Sequence, residues 1–343
     1  MPYEPPPDRR MDRRGAIVRW ATFGIVALLV ALVAYLGYVG FVGSAQAVDP
    51  VRSRECRTPA DLDWAYEAIG YDIASDERLA SVPDAADCDV EPVLAGDELV
   101  GVDGVSLAGW YIPAPDAGPE APTIVIAHGH GVNKSAVLSR AEVLHDDYNL
   151  VLFDFRNHGQ SEEAMTTIGL RERLDLSAVI GWLEANKAPA SIGVLGVSMG
   201  GAASLMDART DIRVDALVVE STHATLANAL GARLDRQGYP LSLPGAWAIL
   251  LGGLIRSGED MSAADPVEAI EDYGARPLLL IAGGMDDTVG STDARDLLAA
   301  ARAGGADVTL QVCAEAGHAA SLERCPDDYR DWVLGFFADA LGG

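Results

Sequence analysis

Lysine is almost missing from this chain of 343 residues. Lys134 and Lys187 are the only two, and arginine makes up the rest of 25 basic residues set against 51 acidic ones, a net charge of −26. A surface so acidic repels polyphosphate, which excludes nucleic acid and anionic phospholipid as partners of the main domain. Cysteine is scarce as well. The four present, Cys56, Cys88, Cys313 and Cys325, form no C-x-x-C pair, which argues against a zinc ribbon or a dithiol redox centre. The six histidines lack i, i+4 or similar ligand spacing with carboxylates, so no metal is expected. Neither G-x-G-x-x-G nor a P-loop occurs, so no nucleotide or other cofactor is expected. Nothing repeats at a fixed period, which argues against a solenoid or a propeller.

Charge is also missing from one long stretch. Trp20 to Val48 carries none over 29 residues, more than the roughly 20 a helix needs to cross a bilayer. Arg9, Arg10, Arg13, Arg14 and Arg19 precede it, and Arg52, Arg54 and Arg57 on the far side dilute that asymmetry without reversing it. The positive-inside rule then gives a short cytoplasmic tail (1–19), a single-pass anchor in the cell membrane (20–48) and an extracytoplasmic remainder. Ala45-Gln46-Ala47 also has the small-x-small form of a signal cleavage site, which would give a secreted protein. The apolar run is about twice a usual signal core of 7–15 residues, which favours the anchor. All four cysteines follow it, as disulfides in an exported chain would require. Of the three possible pairings the most local is Cys56 with Cys88 and Cys313 with Cys325; four unpaired buried thiols are the alternative.

Residues 49–96 read as a polar linker or N-terminal extension, separating the anchor from a domain at 97–343. On this reading, removal of residues 1–48 leaves the domain intact. At 97–115 two alternating runs flank Asp103-Gly104, a hairpin signal. Short apolar runs without polar alternation follow at 123–128, 150–155, 192–198, 216–221, 277–284 and 308–318. Such runs read as strands buried on both faces. Helical stretches lie between or after them at 134–147, 171–186, 199–209, 292–303 and 326–341. Alternating β and α elements predict an α/β fold, a mostly parallel sheet with helices on both faces. The rhythm breaks at 223–270, where an insert containing the apolar, proline-bracketed "YPLSLPGAWAILLGGLIRSG" interrupts two strands. A connection of that length reads as a lid.

The chemistry is concentrated in "SIGVLGVSMGG", residues 191–201. Gly196-Val197-Ser198-Met199-Gly200 fits G-x-S-x-G, a sharp strand-to-helix turn that holds a serine hydroxyl in the open. The hydroxyl then needs a base and a group to orient that base. His318, in "AEAGHAA" past the last strand, and Asp286, in "IAGGMDDTVG" past the preceding one, supply both. With Ser198 they follow strand ends in the order Ser, Asp, His. Glu220, ending the strand at 216, is a second candidate for the acid. The N–H of Met199, next after the nucleophile, is the expected first donor to an oxyanion.

From about Asp97 to the C-terminus these pieces resemble the α/β-hydrolase superfamily, of the membrane-associated abhydrolase type. The resemblance is carried, in order, by "DGVSLAGWYIPA", "VIAHGHG", "FDFRNHGQSE", "LGVSMGG", "IAGGMDDTV" and "EAGH". It implies an α/β-hydrolase fold with Ser198, Asp286 and His318 as the triad, and with the N–H of His130 as the second oxyanion donor. It gives the turn bearing Asp154, Arg156, His158 and Gly159 a structural part. Gly290 stands where the family pattern has a proline. The expected function is an exported, membrane-tethered serine hydrolase that cleaves a small-molecule or lipid-like acyl ester. A serine peptidase or amidase of prolyl-oligopeptidase type is the alternative within hydrolases, though no propeller precedes the domain. A non-catalytic binding protein on the same scaffold is the alternative outside them.

Overall fold

The computed structural model describes residues 9–53, 55–70, 99–115 and 118–342. The chain begins with a long helix, α1 (Arg9–Val48), followed by strands β1 (Glu67–Gly70), β2 (Ala108–Ile112) and β3 (Thr123–Ala127). A 3₁₀ turn at Lys134–Val137 leads into α2 (Leu138–Leu144), and then come β4 (Asn149–Asp154), α3 (Glu172–Asn186), β5 (Ile192–Val197) and α4 (Met199–Ala208). After β6 (Ala216–Glu220) the chain forms α5 (Leu226–Arg236), α6 (Ser242–Ser257) and α7 (Pro266–Glu271) before returning as β7 (Pro277–Gly283). It ends with α8 (Ser291–Ala303), β8 (Asp307–Cys313), α9 (Ser321–Arg324) and α10 (Pro326–Leu341).

Among the described residues eight strands form one sheet, in the order β1-β2-β4-β3-β5-β6-β7-β8. From β4 to β8 every neighbour is parallel; β1 and β2 add antiparallel pairs at one edge. The strands lack polar alternation because helices cover both faces. Ile124 and Ile126 face a core shared with α2 and α10, while Val125 and Ala127 face one shared with α3, α4 and α8. Because β3 to β8 are parallel, their carboxyl ends share one edge, where open α/β sheets bind ligands.

Two expectations from sequence need correction. Asp103-Gly104 does turn the chain, but among the described residues its arms meet in an isolated bridge between Val100 and Ser106. β2 pairs antiparallel with β4 on one side and with β1 on the other, the latter in register Glu67 to Tyr111 and Gly70 to Ala108. Residues 49–96 are therefore more than a linker, since they supply a strand whose Ile69 is buried in the core. Burial of a single Ile in a four-residue strand leaves too little pattern to read in sequence.

The second correction concerns α1. Residues 16–34 are exposed, but Tyr35 to Val48 pack on the body, with Val39, Ser44, Ala47 and Val48 buried. They join Leu226, Leu230, Leu234, Ala246, Ile249 and Leu250 of α5 and α6 in a third apolar core. The Val48 carbonyl accepts from the Thr166 N–H at 2.8 Å, and Asp49 accepts from the Asn157 side chain at 3.2 Å. The last third of α1 is thus part of the folded domain. There the apolarity serves as core, while Gly15–Val48 as a whole is long and apolar enough to cross a membrane.

Candidate active site

Ser198 follows β5 directly and caps α4 with φ 54° and ψ −114°, a strained conformation for a non-glycine residue. The two glycines permit the turn. A side-chain carbon on Gly196 would lie 2.7 Å from the Gly200 backbone, and one on Gly200 would lie 2.3 Å from the Ala127 carbonyl. Strand and helix pass so closely that only hydrogen fits at either place.

β7 and β8 end at Gly283 and Cys313, and the loops beyond them reach back to the serine. The Nε2 of His318 lies 3.0 Å from the Ser198 Oγ, and its Nδ1 lies 2.9 Å from Asp286 Oδ2. The other oxygen of Asp286 accepts the N–H groups of Thr288 and Val289 at 2.9 and 2.8 Å. Burial pushes the Asp286 pKa up, but the hydrogen bond and charge of His318 and those two amides outweigh it and hold the carboxyl below its ordinary value. The carboxylate stays ionised beside the ring. His318 is a quarter exposed and Asp286 nearly sealed, so the ring can meet a ligand from solvent while the carboxylate behind it is closed off.

The His318 loop is tied down on both sides. A disulfide joins Cys313 to Cys325, 12 residues apart, as expected; Cys88, the expected partner of Cys56, lies outside the described residues. Behind the loop, the buried Arg140 donates to both oxygens of Glu220 and to the Ala319 carbonyl next to the histidine. Tyr329 donates to Glu220 at 3.1 Å, and Ser221 Oγ accepts the Ala319 N–H at 3.0 Å. Glu220 is therefore engaged by Arg140, Tyr329 and the Ser321 N–H, and the carboxylate on the His318 ring is Asp286. Asp287 is exposed and pairs with Arg236 of α5 at 2.9 Å.

Across from His318 lies the loop after β3, His128 to Gly131. A side-chain carbon on Gly129 would sit 3.4 Å from the Ser198 Cβ. Neutral histidines brace this loop. His128 donates from Nδ1 to the Gly129 carbonyl and accepts the Phe155 N–H at Nε2. His158 donates to the Arg156 carbonyl at 2.8 Å and accepts the Gly131 N–H at 3.0 Å. The His130 ring donates at 3.0 Å to the carbonyl of Ala47, in the last turn of α1. Burial, with the nearby His158, lowers the pKa of His128 to about 3 and that of His130 to about 4. Lys134 pairs with the buried Asp154, and Arg156 with the buried Asp175. The 154–159 turn is thereby anchored beneath the loop.

Sequence reading missed Arg140, Lys134 and the contact of His130 with α1. The partners of Arg140 lie 80 and 179 residues away, so no local pattern marks it. Lys134 carried a cue, being one of two lysines and following the H-G-x-G run. His223 was read only as the start of the insert; it is buried beside His318, its pKa lowered to about 4 by burial and by that neighbour. Among the described residues no three His, Cys, Asp or Glu side chains gather where they could hold a metal ion.

The chain is similar to known proteins in sequence and in fold. Relatives include Rv2307c of Mycobacterium tuberculosis, described as uncharacterized, at 30% identity over 202 residues. That match covers 58% of this chain and 64% of the relative, so the chain spans a little under two thirds of its length. YfhR of Escherichia coli K12, also described as uncharacterized, is 27% identical over 254 residues, 71% of this chain and 80% of YfhR. The Pyrococcus furiosus esterase Pf2001 shares the fold with a TM-score of 0.65 at 23% identity, over 86% of this chain and 98% of that one. The sequence profile of the Alpha/beta hydrolase family matches residues 124–332, which hold Ser198, Asp286 and His318, and the chain belongs to that family.

Proposed function

We propose that this protein is a serine ester hydrolase working through an acyl-enzyme, with Ser198 as nucleophile, His318 as base and Asp286 as its orienting acid. The observation that carries this reading is the unbroken chain of contacts Oγ to Nε2 and Nδ1 to Oδ2, at 3.0 and 2.9 Å. Ser198 Oγ attacks the ester carbonyl carbon while its proton passes to His318 Nε2. The negative oxygen meets the N–H groups of Met199 and His130, each worth about 2.7–4 kcal/mol in such sites. The tetrahedral intermediate collapses, and His318 returns the proton to the departing alcohol. Water repeats the sequence on the acyl-enzyme and frees the acid. Asp286 remains a carboxylate throughout and stabilises the imidazolium.

We also propose that α1 remains uncleaved and tethers the enzyme, with residues 1–19 in the cytoplasm and the hydrolase domain outside. The arginines before Trp20 favour this orientation, and a Cys313–Cys325 disulfide suits an oxidising compartment. Cleavage after Ala47 would remove a buried residue whose carbonyl accepts from His130, which favours the intact anchor. Residues 223–270 then serve as the lid of a domain that draws its first strand from 49–96. A fluorophosphonate probe tests the chemistry: it is expected to label the full-length protein and not its Ser198→Ala variant. Well-folded protein left unlabelled would instead support a binding role.

A further inference from the structure

α6 is the most apolar part of the lid, and one side of it lacks protein cover. Leu243, Trp247, Leu251, Leu254 and Ile255 recur at helical spacing on that side; Trp247 is 53% exposed, Leu251 57% and Ile255 76%. No charged residue interrupts α6 before Arg256 near its end, in a chain of net charge −26. An apolar stripe of this kind on a soluble surface marks an interaction site.

Its occupant follows from what α6 packs on. Contacts between α1 and α6 advance together along both helices, so the two run parallel. Tyr35 donates to the Pro240 carbonyl at 2.6 Å, Gly40 abuts Ala248, and Ser44 abuts Gly252 and accepts from Arg256 at 3.0 Å. A side-chain carbon on Gly40 would lie 2.6 Å from the Ala248 carbonyl, and one on Gly252 would lie 2.7 Å from the Gly40 carbonyl. Gly40-x-x-x-Ser44 against Ala248-x-x-x-Gly252 is the close small-residue seam by which helices pack inside membranes. A hydrocarbon layer of about 30 Å takes about 20 helical residues. Counted from Trp20, just after Arg19, it ends near Val39, beyond the point where α6 begins at the level of Tyr35. By the Gly40–Ala248 and Ser44–Gly252 contacts that end lies level with Trp247, so Leu243 and Trp247 fall within the outer end of the span and Leu251, Leu254 and Ile255 just above it, while Tyr38 and Phe41 of α1 continue the exposed apolar face.

We propose that α6 and the last third of α1 form a two-helix foot seated in the outer leaflet, with Leu243 and Trp247 among the ends of the acyl chains and Leu251, Leu254 and Ile255 in the interface above them, so that the enzyme takes acyl esters from the membrane that anchors it. The inference rests on the tether proposed above and names the substrate source for the same site. The partner is the apolar region of the bilayer rather than anionic headgroups, which the charge of the domain repels.

The test uses full-length protein in phosphatidylcholine vesicles containing lipids brominated along the acyl chain. The fluorescence difference between wild type and Trp247→Phe isolates Trp247, and that difference is expected to be strongly quenched. The triple variant Leu243→Glu, Leu251→Glu, Ile255→Glu should lose at least tenfold in kcat/KM on an ester carried in the vesicle and stay within twofold on a soluble nitrophenyl ester. An unquenched Trp247 in protein that resists carbonate extraction overturns the foot alone, as does cross-linking through α6 of two copies with Trp247 shielded. Equal loss on both esters also overturns it. Protein released by carbonate overturns the tether and the foot together. A wild type inactive on both esters removes the hydrolase reading, while quenching of Trp247 still supports the foot as a lipid-contacting surface.

Discussion

The two walls facing Ser198 are held by different kinds of bond. His318 and Asp286 stand on loops secured by a disulfide, by two amides on an ionised carboxylate, and by the buried Arg140–Glu220 pair. The wall opposite, His128 to Gly131, is secured by neutral imidazoles that donate to carbonyls and accept amides, and one of them reaches α1. Charge suits the first wall in the proposed reaction, where a carboxylate would stabilise the imidazolium that forms. In the proposed reaction the second wall would meet a developing negative charge with backbone N–H groups. The acid–base wall should thus answer to covalent and charge changes, and the oxyanion wall to acid and to loss of α1.

Removing the point where the walls meet gives the largest effect. Ser198→Ala should lower kcat on a nitrophenyl ester by on the order of 10⁶-fold with an unchanged melting temperature. Asp286→Asn should cost about 10³–10⁴-fold, since the amide favours the wrong tautomer of His318. Truncation addresses the other wall. Removal of residues 1–34 should leave a stable esterase, while removal of 1–48 strips Val39 and Val48 from the third core and Ala47 from His130. The two valines alone represent about 3–6 kcal/mol of burial, so the shorter chain should melt at least 10 °C lower and lose at least tenfold in kcat. Equal activity in the two truncations would dissolve the contrast between the walls.

Acid should act on the histidine frame. His128, His130 and His223 have folded pKa values of about 3, 4 and 4, below the ordinary 6.5. In that interval the unfolded chain binds protons that the folded chain refuses, so stability is full above about pH 6.5 and falls as pH drops towards 4. The cost at pH 4.5 is on the order of 2 kcal/mol per histidine, measurable as a shift in urea midpoint between pH 7 and 4.5. A flat midpoint would mean that these rings are not buried neutral. Reduction of Cys313–Cys325 frees the His318 loop at a global cost of about 3 kcal/mol. It is expected to lower kcat severalfold at temperatures where circular dichroism is unchanged. The smallest effect belongs to Asp287→Asn, under twofold in kcat, because that side chain is exposed and pairs with Arg236 on the rim, which also donates to the Thr288 hydroxyl.

Much of the site was legible because its signals are local. G-x-S-x-G marks a turn that sterics alone dictate, and the loops of Asp286 and His318 directly follow apolar runs that can only be buried strands. Parallel pairing then sends all three loops to one edge. Less was legible where the partner is distant in sequence. Glu220 was open as a second acid until Arg140 and Tyr329 claimed it, and β1 escaped notice because four residues with one buried side chain carry no periodicity. The separation expected between anchor and domain failed for a related reason: a helix apolar on every side looks the same whether lipid or protein covers it.

Sequence by itself determined the α/β alternation, the order of Ser198, Asp286 and His318, and the long charge-free helix, since these depend on residue type and spacing along the chain. Tertiary structure alone decided which carboxylate meets His318, that neutral histidines frame the loop at His130, and that the last third of α1 joins α5 and α6 in a core of its own. Those outcomes depend on which groups lose water together, and desolvation is a property of packed neighbours rather than of any stretch of chain.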